Sequence, residues 1–108
     1  MSDIDKQIAE KVMWWDFSLP GYRDKEDVLI QTENSFKPST NIADAWLVVE
    51  KILELGYSFE LDNTLNNWYC EIIYGHNEDM PIHKATASTA PMAICLAALK
   101  ALEVNNET

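Results

Sequence analysis

The sequence predicts a small α+β domain in which three helices pack on a mainly antiparallel sheet of three or four strands, in the order α-β-α-β-β-β-α. Three observations lead there. Apolar residues recur at helical spacing in three stretches of the chain. Between the second and third stretches they alternate with polar residues at strand spacing. The 108 residues suit one domain, residues 1–108, with no room for two independent cores.

The first helix is expected from about Asp3 to Asp16. Ser2 or Asp3 can cap it, and Asp3 and Asp5 complement the positive end of the helix dipole. Ile4, Ile8, Val12 and Trp15 fall on one stripe, with Met13 beside it. Pro20-Gly21 ends any helical pattern, and "DVLIQT", residues 27–32, reads as a short strand. Pro38 then disfavours helix at Lys37 and sets an extended approach. Ser39, Thr40 and Asn41 are all helix-capping types, and Asn41 with Asp44 resembles a capping box. Ile42, Ala45, Trp46, Val49, Ile52 and Leu53 follow at helical spacing as a core-facing stripe. Gly56 is placed to end the helix in a left-handed conformation.

"YSFEL", residues 57–61, alternates: Tyr57, Phe59 and Leu61 face one way, and Ser58, Glu60 and Asp62 the other. "DNTLNN" is loop or turn material, and the strands on either side of it are expected to pair as an antiparallel hairpin. "WYCEIIYG" is the strongest strand signal, rich in aromatic and β-branched residues. Trp68, Cys70, Ile72 and Tyr74 share one of its faces, and Tyr69, Glu71 and Ile73 the other. "IHKATA", residues 82–87, completes a meander after the turn "HNEDMP". The last helix starts near "STAPMA", with Ser88 or Thr89 as cap and Pro91 in the first turn. Every residue from Met92 to Leu99 is apolar, so this helix should be covered on more than one side. Ala93, Ala97 and Ala101 form a ridge that admits a close neighbour. That neighbour is either a second helix or a second subunit, so a homo-oligomer through the C-terminal helix is expected.

Composition narrows the function classes. Eighteen acidic residues against eight basic give a net charge of −10. Such a surface repels phosphate backbones, which disfavours ordinary nucleic-acid binding. No apolar run is long enough to span a bilayer, and no signal peptide is visible at the N-terminus. A cytoplasmic location is therefore expected, with Cys70 and Cys95 as buried free thiols.

No motif organises a catalytic centre. The chain has only three glycines, and no phosphate-cradling loop can be built from Gly21, Gly56 and Gly75. Neither cysteine has the basic neighbours that would activate a thiol. "HNEDMPIH" contains ligand types in His76, Glu78, Asp79 and His83, but at no recognisable metal spacing. No catalytic residue, metal ligand or cofactor is expected. The residues assigned to binding are Trp14, which lies off its helix's stripe, Tyr69, which shares a face with Glu71, and the pair His76 and His83. Exposed aromatics there would offer a patch to a partner or a flat ligand.

Four segments together, "AEKVMWW", "FKPSTNIADAWLVVEKILELGYSFEL", "WYCEI" and "ATASTAPMAICLAALKAL", resemble the phage ABA sandwich domain family. Its most specific pieces here are "PSTNIADAW" with "VVEK", and "TAPMAICLAAL". The resemblance covers nearly the whole chain, and the connection from Trp15 to Lys37 is its variable part. It implies a layered α/β/α-type sandwich and a small protein encoded in a phage or prophage of a Gram-positive bacterium. It implies no catalytic residues. The function expected is a non-enzymatic phage or prophage accessory role in the host cell, exerted by binding a host protein or a small molecule without nucleic acid or membrane. The alternative is a small enzyme, or a nucleotide- or metabolite-sequestering domain, built on the aromatics and His76/His83.

Overall fold

The computed structural model describes residues 3–13, 16–18, 21–23, 29–32, 35–74 and 82–106. Helix α1 (Asp3–Gln7) runs on into a π-helical segment (Ile8–Val12). Three short strands follow, β1 (Asp16–Ser18), β2 (Gly21–Arg23) and β3 (Leu29–Thr32). Then come α2 (Ile42–Glu54), β4 (Tyr57–Thr64), β5 (Asn67–Tyr74), β6 (Ile82–Ala87) and α3 (Ala90–Asn106). The three helices and the antiparallel sheet β4-β5-β6 make the predicted α+β fold. The connection after the first helix differs from expectation: β1 and β2 join β3 in a second small antiparallel sheet, β1-β2-β3. The helix also stops before Asp16, which lies in β1. Its last turn is widened, with the Met13 N–H donating to the Ile8 carbonyl at 3.0 Å. Ile8, Ala9 and Val12 are all fully buried in this widened turn.

The core forms around α3. Ala93, Ile94, Cys95, Ala97, Ala98, Leu99, Ala101 and Leu102 are all buried. β5 and β6 cover one side of this helix, and α2 and the π-helical segment cover others. The small-residue ridge of Ala93, Ala97 and Ala101 is thus buried by neighbours within the same chain. Lys100 is exposed on α3. No helix among the described residues is long and apolar enough to cross a membrane.

Two links fix the entry to α2. The buried Asp5 carboxylate, 3% exposed, accepts the Ser39 N–H at 2.8 Å and ties α1 to the loop before α2. The Asn41 side chain caps α2 by accepting the Asp44 N–H at 3.1 Å. The expected reciprocal bond of the capping box is displaced. The Asp44 carboxylate reaches past Asn41 and accepts the Lys37 N–H at 2.9 Å. At the other end Gly56 has φ 98°, the left-handed closure that the sequence predicts.

The expected antiparallel hairpin forms, with a turn tighter than residues 62–67: β4 and β5 pair in unbroken register up to Thr64↔Asn67. Only Leu65 and Asn66 turn, with φ 48° and 71°. A two-residue turn with both centres at positive φ matches strand twist but favours Asn-Gly, whereas Leu pays a steric penalty there. Leu65 is also 94% exposed, so no packing offsets that penalty.

Two stability changes follow. Leu65→Asn should raise the unfolding free energy by about 0.5–1 kcal/mol, as a shift of the urea midpoint at unchanged slope. Asp5→Ala should lower it by about 1–3 kcal/mol, because the buried Ser39 N–H loses its acceptor.

Candidate functional site

The register of the main sheet sorts its side chains onto two faces. Phe59 opposes Ile72, and Leu61 opposes Cys70; Cys70 in turn opposes Ala85, and Ile72 opposes His83. These side chains face the helices. On the reverse face Glu60 opposes Glu71 and Asp62 opposes Tyr69, while Glu71 opposes Lys84 and Tyr69 opposes Thr86. Glu60, Asp62, Lys84 and Thr86 are exposed on this face. No described helix covers it.

Of the sequence-assigned binding residues, the two that are described, Tyr69 and His83, do not meet. Tyr69 lies on the open face, where its hydroxyl donates to Glu71 Oε1 at 3.3 Å. Partial burial, then the Glu71 charge, raises its phenol above the ordinary range. His83 lies on the opposite face, toward the helices, and is 8% exposed. Burial lowers its imidazole below the ordinary range. Trp14 and His76 lie outside the described residues. Among the described residues no group of three or more His, Cys, Asp or Glu side chains converges as a metal site would require.

The thiols are interior. Burial, with Glu71 adding to it, raises Cys70 to about 12. Burial raises Cys95 as well, with the Asp5 carboxylate and Cys70 adding to the shift. A thiol held protonated in this way is a poor nucleophile.

A shallow cleft of about 460 Å³ runs beside β6, lined by Tyr69, Lys84, Ala85, Thr86, Leu96 and Lys100. The Lys100 ammonium donates to the Lys84 carbonyl at 2.9 Å. One of the two cations is therefore occupied with the strand, and the other stands opposite Glu71. This leaves little free positive charge for an anionic ligand.

The more distinctive surface is one that periodicity assigned to the core. Ala45, Val48, Val49 and Ile52 are buried, but Ile42, Trp46 and Leu53 are 53%, 49% and 51% exposed. They form one flank of α2 at helical spacing. The Trp46 ring meets Phe59 edge-on, with centroids 6.1 Å apart and planes at 89°. This flank therefore borders β4. The correction has a geometric reason: the face of α2 turned inward is centred on Ala45, Val48, Val49 and Ile52, which leaves Ile42, Trp46 and Leu53 at its margin in water. A stripe with large residues at one margin was the available sequence signal.

The family model of the phage ABA sandwich domain matches residues 6–99, and the chain belongs to that family. Neither the curated proteins nor the solved structures include a match.

The buried imidazole sets a pH dependence. Its pKa is lower folded than unfolded, so its contribution is fully present above 6.5 and is lost as pH falls below that value. In a two-dimensional NMR titration His83 should therefore titrate below 6.5. His83→Gln should remove part of the acid-side loss of stability; an ordinary His83 titration with an unchanged pH–stability curve would contradict this.

Proposed function

We propose that this phage ABA sandwich domain is an accessory protein that acts in the host cytoplasm by binding a host protein, and not by catalysis. The observation that carries this reading is the exposed flank of Ile42, Trp46 and Leu53 beside Phe59. Large apolar side chains side by side in water are costly to leave exposed, and a tryptophan at the centre of such a patch is a common anchor of protein interfaces. The net charge of −10 keeps such a surface soluble and selects against phosphate-rich partners. The enzymatic alternative has less behind it. Tyr69 and His83 face opposite sides of the sheet, which gives a joint role on one bound molecule no support.

The reading is tested by affinity capture from a lysate of the bacterium that carries the phage, with proteins and small molecules both identified by mass spectrometry. The bait is compared with an Ile42→Ser, Trp46→Ser, Leu53→Ser variant of matched circular dichroism. A host protein should be retained by the native chain and depleted with the variant. Equal retention by both, or retention of a metabolite alone, would overturn the reading.

A further inference from the structure

The two outer strands of the main sheet are treated differently. In the strand order β4-β5-β6, β6 is guarded. It packs against α3, and Lys100 takes up the Lys84 carbonyl on its outer side at 2.9 Å. β4, eight residues long, has no described strand beyond it. It also lacks the proline or lysine that commonly blunts an edge. Its tight turn closes on the pair Thr64↔Asn67. Counting back from that hydrogen-bonded pair, alternate residues direct their backbone groups outward: Phe59, Leu61 and Asn63 are among them.

The two sides of this edge differ in chemistry. On the helix side, Phe59 and Leu61 are partly buried, and Trp46 of the exposed α2 flank meets Phe59. On the open side, Glu60 and Asp62 are exposed, with Glu71 one strand in. Asp62, then Glu71, crowds Glu60 and raises its carboxyl above the ordinary range. The arrangement disfavours a second copy. In antiparallel self-pairing, side chains directly opposite share a face. Registers centred on Glu60, Leu61 or Asp62 would thus set Glu60 against Glu60, Glu60 against Asp62, or Asp62 against Asp62. The complement is a strand with cations where this one has carboxylates.

We infer that β4 accepts an extended segment of the partner protein by strand addition, the segment alternating apolar side chains toward α2 with lysine or arginine side chains toward Glu60 and Asp62. This rests on the protein-binding reading and names its mode. Main-chain bonds at Phe59, Leu61 and Asn63 supply affinity. The alternation of shelf and carboxylates supplies register and selectivity.

The test uses the full chain and two short end-blocked peptides, one alternating lysine and valine, the other glutamate and valine. Binding is followed by calorimetry and by amide hydrogen exchange. The lysine peptide should bind more tightly than the glutamate peptide and slow exchange at Phe59, Leu61 and Asn63. Glu60→Lys with Asp62→Lys should weaken the lysine peptide about fivefold or more and reverse the preference. Leu61→Pro, checked for folding by circular dichroism, should abolish binding of both. Equal affinity for the two peptides, or protection confined to other residues, would overturn the inference. The charge-reversed variant in the lysate capture separates the two proposals. Loss of the host protein to the Ile42, Trp46, Leu53 variant but not to charge reversal leaves the binding reading standing and removes the strand-addition mode.

Discussion

The fold depends on one constraint: α3 is apolar around nearly its whole circumference. A helix of that kind is unstable in water and has to be enclosed. The chain encloses it with β5 and β6 on one side and with α2 and the π-helical segment on others. The alanines of α3 let these neighbours approach closely, while Ile94, Leu99 and Leu102 fill the spaces between them. The bond from the Ser39 N–H to Asp5 follows from the same need. It holds the short first helix, too short to persist alone, against the loop that aims α2.

Enclosing α3 leaves the sheet asymmetric. One face is spent on the helices, and the other carries Glu60, Asp62, Glu71 and Lys84 toward solvent. α2 also lies where it covers β4 incompletely, so Trp46 rests on Phe59 while half of its surface remains in water. The two interior thiols are held protonated by burial, and the His83 imidazole is held neutral. The exposed apolar side chains collect along α2, beside β4.

Much of the fold was legible because its signals are local. The all-apolar run from Met92 to Leu99, the cap at Asn41, the closure at Gly56 and the alternation in "YSFEL" each follow from side-chain chemistry within a few residues. The hairpin was legible too, but its two-residue turn was not, because leucine is a poor choice for positive φ; the register of the paired strands overrides that local preference at Leu65. The shortened first helix and the strand pair β1-β2 depend on tertiary packing and pairing that periodicity does not encode. The site was less legible still. Alternation places Tyr69 and Glu71 on one face, but nothing local says that His83 turns toward the helices or that Trp46 lies at the margin of its stripe. Which strand ends up outermost is likewise a property of strand order and not of any single segment.

The amine of Lys100 on the backbone of β6 has a further consequence. With one border of the sheet guarded, a molecule docked along the opposite border has no equivalent border on which the next could dock. The two borders of the main sheet are therefore not interchangeable, which disfavours end-on stacking of identical sheets.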